Sequence, residues 1–323
     1  MKYIVTGGAG FIGHNVIRQL EAQGHDCFIL DNVTDYGFIP EDELTYLYRS
    51  RRERMRANTH HIDLRDHDSV RKFFSNFAFD CSAVIHLASF PRQKIVNSNP
   101  IWGSEVMATG LVNLLEVCKD YAIPKFVYIS SSMVYGDFKD NVTEDYNCKP
   151  QGQYGIMKLM GEHLVKDYTR RGYFDHAVIR PSAVYGEYDV EDRVVSKFML
   201  SAMRGETLKV NGANEILDFT YVEDAARGIA QATLSDESIN KTYNITKSHG
   251  TTLLQAAEMA VKIAGKGNIE CHDRDADFPS RGALDITQAR KDFNFDPQVD
   301  VEEGFNRYYT WFNNSPYWQE RLK

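Results

Sequence analysis

The chain has 323 residues, too many for a minimal module and few for three domains, so one large or two intimate domains are expected. Hydrophobic residues are 43% and charged residues 25%, globular values that exclude a wholly disordered chain. The net charge of −8 disfavours a nucleic-acid binder, and no apolar stretch approaches the roughly 20 residues of a membrane helix.

The opening MKYIVTGGAGFIG runs straight into a folded-looking motif with no apolar leader, so no signal peptide is expected. Lys2–Thr6 reads as a buried strand, 12–23 as an amphipathic helix stopped by Gly24, and 27–30 (CFIL) as a second strand. Residues 41–57 form an insertion carrying Arg49, Arg51, Arg52, Arg54 and Arg56. It reads either as the solvated face of a surface helix or as an anion-binding patch near a cofactor or a subunit contact. Further strands are expected at 83–87, 126–130 and 177–180, with a helix at 110–120. Such alternation predicts a doubly wound parallel α/β sheet of Rossmann type, helices on both faces. Beyond 181 the segments become mixed and loop-rich, with a strand near 243–245 and a terminal helix at 301–313. The expected division is a dinucleotide-binding domain over 1–180, to which 217–245 returns, and a smaller α/β substrate-binding lobe over 181–323. Cys27, Cys81, Cys118, Cys148 and Cys271 are odd in number and widely spaced, which fits reduced thiols in a cytoplasmic protein and no metal site.

Gly7, Gly10 and Gly13 follow the first strand and open the first helix. Gly7 permits the tight turn, Gly10 lets backbone approach a pyrophosphate, and Gly13 lets helix pack on strand. Phe11 and Ile12 then present N–H groups at the positive end of the helix. Asp31 ends the second strand, where a carboxylate accepts from the adenosine ribose and repels a 2′-phosphate, so NAD is expected over NADP. Asn32 beside it, Leu87 and Ala88 after the 83–87 strand, and Asp63 with Leu64 complete the candidate cofactor contacts. Asp63 would accept from the adenine amino group or else cap a helix. Tyr154 and Lys158 lie four apart, on one side of a helix. A lysine cation there would lower the phenol's pKa toward neutrality and make it a base.

Taken together, TGGAGFIG, the HLAS segment, SSSMVYG, YGIMK, IRPSAVYGEYD and LDFTYVEDAA resemble the extended short-chain dehydrogenase/reductases. Within these the chain resembles the NAD-dependent sugar-nucleotide epimerase/dehydratase family over nearly its whole length. The resemblance implies Tyr154 as general base and acid, Lys158 on the nicotinamide ribose, and Ser131 sharing a hydrogen bond with the hydroxyl being oxidised. It also implies a nucleotide-sugar substrate and a homodimer, through helices near 110–120 and 154–171. The dehydratases of this family carry Asp-Glu where this chain has Ser132 and Met133, and a related decarboxylase carries an acid at the second position. Methionine cannot transfer a proton, so epimerisation is favoured. A reductase or dehydratase of the same family is the alternative, and a catalytically silent NAD sensor is a remoter one.

Three positions depart from the family pattern. Leu217 stands where an arginine grips the diphosphate, Ala183 replaces an asparagine, and Glu105 replaces another. Other cations must then meet the substrate's charge. Arg281 fits a second phosphate contact of the family, and Arg92, Lys94, Arg193 and Lys197 are further candidates.

Overall fold

Short apolar runs far apart in the sequence are gathered into one sheet in the computed structural model, which describes residues 1–34, 37–90 and 92–322. Its strands are β1 (Lys2–Thr6), β2 (Asp26–Leu30), β3 (Thr59–His60), β4 (Cys81–His86), β5 (Lys125–Ile129), β6 (Asp175–Pro181) and β7 (Lys241–Ile245). The order across the sheet is β7-β6-β5-β4-β1-β2-β3, parallel throughout. The chain therefore steps from β1 to β2 on one side and later returns beside β1 with β4. Such a reversal opens a crevice at the carboxyl ends of β1 and β4, where ligands of this architecture bind.

Successive residues of β1 serve opposite faces, as the two-residue period of a strand demands. Tyr3 and Val5 enter one core with Val16, Ile17 and Leu20 of the helix Phe11–Ala22. Ile4 enters the other, with Val70, Phe73 and Phe74 of His67–Phe77 and Leu111, Leu114 and Leu115 of Gly110–Asp120. This double burial is why the strands read as unbroken apolar runs.

A separate core lies away from the sheet. Phe198 and Met199 of Val194–Arg204 pack there with Phe305, Tyr308 and Phe312 of Val301–Asn314, and with Trp318. The final helix does not run through. Ser315 breaks it and accepts from Trp318 N, and Pro316 starts a further helix, Pro316–Arg321. Short ladders frame this region: Thr207–Asn211 with Asn268–His272, and Ile216–Asp218 antiparallel to Gly250–Thr252.

The arginine-rich insertion is a helix, Glu41–Arg52, and its arginines are not one surface. Arg49 and Arg56 are exposed, whereas Arg51 is buried and Arg54 lies over the Tyr188 ring, 4.2 Å from its centre. Neither a uniformly solvated face nor a single anion patch describes this arrangement.

Candidate active site

The glycine loop borders the crevice at the carboxyl ends of β1 and β4. Gly7 has φ +70°, and a Cβ on it would stand 2.6 Å from Ala88 N. A Cβ on Gly13 would stand 2.3 Å from Gly7 O, so helix and loop can meet only without a side chain. Gly10 is the N-cap of Phe11–Ala22, and no side chain caps that end. The first-turn N–H groups, including those of Phe11 and Ile12, are thus left for an anion. The loop is anchored on both sides, by Gly7 N to Leu30 O at 2.9 Å and by Leu87 N and Ala88 N to Thr6 O at 3.0 and 3.1 Å.

Asp31 ends β2 as expected. Its Oδ2 accepts from Ala9 N at 3.0 Å and its Oδ1 from Val33 N at 2.8 Å. Burial raises its pKa against the pull of these two bonds. Each oxygen keeps a second lone pair for a ribose hydroxyl. Asp63 is no helix cap, since Asp66 fills that role for His67–Phe77 by accepting from Ser69 N. Arg65 instead grips Asp63 at 2.7 Å and Glu105 at 2.9 Å, while Asn32 Nδ2 donates to Asp63 at 3.3 Å. Glu105, which no sequence argument explained, thus closes a carboxylate–guanidinium–carboxylate row. Leu64 packs its side chain into the core and gives its carbonyl to Asn113 at 3.0 Å, so any cofactor contact from it falls to its N–H.

Ser131, Tyr154 and Lys158 converge at the ends of β5 and the helix Gly152–Arg170. Ser131 Oγ accepts from Met133 N at 3.2 Å, and its hydroxyl lies close enough to Tyr154 to pull that phenol's pKa down. Lys158 is buried and donates from Nζ to Ile129 O at 2.8 Å, with Nζ 5.8 Å from the Tyr154 ring centre. The expected lowering of the phenol by Lys158 does not appear. Burial pushes Tyr154 above its usual pKa, with Arg193 and Ser131 pulling against it. Burial also brings Lys158 itself down to about 7. Both groups are dehydrated, and in each the charged form is the one disfavoured.

Behind them lies a group that the sequence reading missed. Arg180 holds Glu162 through Nε to Oε1 at 2.9 Å and Nη2 to Oε2 at 2.7 Å. Ser130 Oγ donates to the same carboxylate at 2.5 Å. The spacing Tyr154, Lys158, Glu162 was the available signal, since every fourth residue shares a helix face.

The profile of the NAD dependent epimerase/dehydratase family matches residues 3–246. The chain belongs to this family. A UDP-glucuronate 4-epimerase of Thermodesulfobacterium geofontis is 28% identical over 96% of this chain and 95% of its own length. The crystal structure of UDP-glucuronic acid 4-epimerase from Bacillus cereus, in complex with UDP-glucuronic acid and NAD, superposes with a TM-score of 0.88. It is 26% identical and covers 96% of this chain and 98% of that one. UDP-glucose 4-epimerase from Thermotoga maritima, with UDP-glucose, gives 0.86 at 25% identity, covering both chains fully.

The family's cofactor is NAD, and the residues fit it. A side-chain-free cradle, an uncapped helix N-terminus and the Asp31 carboxylate stand in one crevice, and Arg51, a cation beside Asp31, already donates to Tyr188 O.

On the substrate side of this family member, Leu217 is buried in the second core and offers nothing to a diphosphate. Asp218 beside it accepts from Leu284 N at 3.0 Å and so ties down the loop that carries Arg281. Arg281 lies against Met133, with Nη1 3.7 Å from Sδ. Its Nε is buried without a hydrogen-bond partner among the described residues, and burial lowers it to about 10. Arg193 Nε is likewise unpartnered, 3.8 Å from the buried Asp189. Arg92 and Lys197 both pair with Asp192. Lys94 is exposed on the helix Gln93–Ser98. Ser132 donates to Ser182 Oγ at 3.2 Å. Ala183 has φ +36°, a backbone that asparagine tolerates better than alanine.

Proposed function

We propose that the chain is an NAD-dependent nucleotide-sugar epimerase. The observation that carries this reading is the trio Ser131, Tyr154 and Lys158 next to Met133, a position with no acid to eliminate water or carbon dioxide. Bound NAD supplies a hydride acceptor that later returns the hydride to the other face of the same sugar carbon. Tyr154 takes the proton of the sugar hydroxyl as it becomes a ketone and gives it back on reduction. Ser131 orients that hydroxyl by sharing its hydrogen bond, and Lys158 holds the nicotinamide ribose. Gly7, Gly10, Gly13, Phe11, Ile12, Asp31 and Asn32 hold the dinucleotide, with Asp63, Leu64, Leu87 and Ala88 along its path. Ser132 and Met133 face the sugar. Residues 1–180 with 217–245 form the cofactor domain in this reading, and 181–323 the substrate lobe.

Arg281 is the proposed diphosphate ligand, because a guanidinium whose buried Nε–H is unsatisfied is expensive until an anion meets it. Arg92, Lys94 and Arg193 are secondary contacts. The test is incubation with a panel of UDP- and dTDP-sugars without added NAD, following the appearance of the epimer. Release of NADH or of a dehydrated sugar in place of an epimer would replace this reading with a reductase or a dehydratase. In the same assay Arg281→Ala should weaken sugar-nucleotide binding by roughly 1.5–3 kcal/mol, the scale of one charge-assisted hydrogen bond, and leave NAD binding alone. Unchanged affinity would remove Arg281 from the site.

A homodimer is also proposed, through Gly110–Asp120 and Gly152–Arg170. Val112 and Ile156 on these neighbouring helices are 36% and 53% exposed. Ile156→Glu is expected to give monomers in sedimentation, and a wild-type protein that already sediments as a monomer would dispose of the idea. We place the protein in the cytoplasm, where five unpaired cysteines persist; a disulfide found in the native protein by mass analysis would count against this.

A further inference from the structure

The helix Glu41–Arg52 joins parts of the molecule that are distant in sequence. Its N-terminal half docks on the last two helices. The Tyr46 ring stacks on Tyr317 with centroids 4.2 Å apart and planes 4° apart, and Tyr46 OH meets Ser315 Oγ at 2.7 Å. Asp42 pairs with Arg321 and accepts from Tyr317 OH at 3.2 Å. Glu43 Oε1 accepts from Glu191 N at 2.7 Å. The other end of the helix reaches the dinucleotide loop through one buried side chain, Arg51.

Arg51 sits between two backbone carbonyls. Nε and Nη2 donate to Tyr188 O at 3.1 and 2.7 Å, and Nη1 donates to Ala9 O at 3.4 Å. Ala9 is the residue whose N–H binds Asp31 at 3.0 Å. The middle of the glycine loop is thus held at its N–H by the ribose-facing carboxylate and at its carbonyl by Arg51. Tyr188 belongs to the segment that continues through Asp189 to Arg193, the cation acting on Tyr154. One guanidinium therefore links the cofactor loop to the loop on the substrate side. Lysine could not replace it at both ends, since its ammonium is a single point and the two carbonyls need a fork.

We propose that Arg51 is a positioning residue for NAD retention, the pin of a clasp formed by Glu41–Arg52 between the dinucleotide loop and the C-terminal helices. The clasp holds the loop's N–H groups in the arrangement that a pyrophosphate needs, so the cofactor leaves only when the pin opens. Slow release suits a cofactor that is regenerated within each turnover. That advantage rests on the epimerase reading, but the clasp itself does not.

The test follows the cofactor and not the reaction. Wild-type protein loaded with NADH is mixed with excess NAD, and the loss of bound-NADH fluorescence gives the dissociation rate. Arg51→Met should release NADH at least about tenfold faster, the lower end of what one lost charge-assisted hydrogen bond implies. Arg51→Lys should fall between that variant and wild type. Arg52→Met is the control for helix damage, because among the described residues Arg52 bonds Met55 O and Asn58 Oδ1, at 3.2 and 2.6 Å, and no part of the dinucleotide loop. It should release NADH at the wild-type rate. A wild-type rate in Arg51→Met overturns the clasp, as does equal acceleration by the Arg51 and Arg52 variants. If Arg51→Met does not fold, Arg51→Lys decides alone: acceleration supports the pin and a wild-type rate overturns it. A protein that turns over no nucleotide sugar but binds NADH leaves this test intact.

Discussion

Tyr154→Phe should lose most turnover, about 10²–10⁴-fold, the usual worth of proton transfer by a positioned group. The substitution removes one oxygen and little else. The ring packs against a small cluster of Phe90, Ile95, Val96 and Met107, which a phenylalanine fills equally well. NAD should therefore stay bound and the melting temperature should hold, which separates lost chemistry from lost structure. The pH profile gives a second readout. Burial holds the phenol above its ordinary value, so its base form grows as pH rises, and turnover of the wild type should climb through the neutral range. Lys158, brought down to about 7 by burial, loses its charge over the same range and adds a second titration to the profile. Near-wild-type turnover in the phenylalanine variant would remove Tyr154 from the mechanism.

The site was legible in the sequence wherever its chemistry is local. The glycine spacing, Asp31 at a strand end, and Tyr154 with Lys158 on one helix each lie within a single element or turn, where period and spacing carry the information. What failed was long-range. Charge alone predicts that Lys158 lowers Tyr154, but burial, which no spacing reports, sets the sign. In sequence Arg51 is one of five arginines that read alike, as a solvated face or as an anion-binding patch. Only its docking between Ala9 and Tyr188, 42 and 137 residues away, distinguishes it. Glu105 is intelligible only through Arg65, 40 residues back, which pairs with it. The helix expected at 301–313 is present as Val301–Asn314, but the short helix after it, Pro316–Arg321, whose Trp318 is wholly buried in the second core, carries no local periodicity to announce it. The sheet fared better, because a strand buried on both faces is mostly apolar along its middle wherever its neighbours come from.

Glu162→Ala should destabilise the fold by about 3–5 kcal/mol, the cost of removing one partner from a buried ion pair. Glu162 is 1% exposed and Arg180 4%. Arg180 also donates from Nη1 to Tyr135 OH at 2.9 Å and Glu144 O at 3.0 Å, and it lies over the Tyr135 ring, 4.8 Å from its centre. These contacts would hold the guanidinium in place after the carboxylate is gone, leaving a buried charge unmatched. Ser130, directly before Ser131, the proposed hydroxyl-orienting residue, would lose its acceptor too, so the end of β5 should loosen and activity should fall with stability. The pH dependence gives the sign. Burial alone would raise Glu162, but Arg180 overrides it and holds the carboxyl below its usual value. Its contribution is therefore present above the unfolded pKa, about 4.3, and is lost as pH falls through the lower folded value. Urea unfolding at pH 7 should show the full difference between wild type and Glu162→Ala, and the gap should narrow on acidification. Equal midpoints and slopes for the two proteins at pH 7 would mean that the pair is neutral to the fold and that Arg180 finds its counter-charge elsewhere.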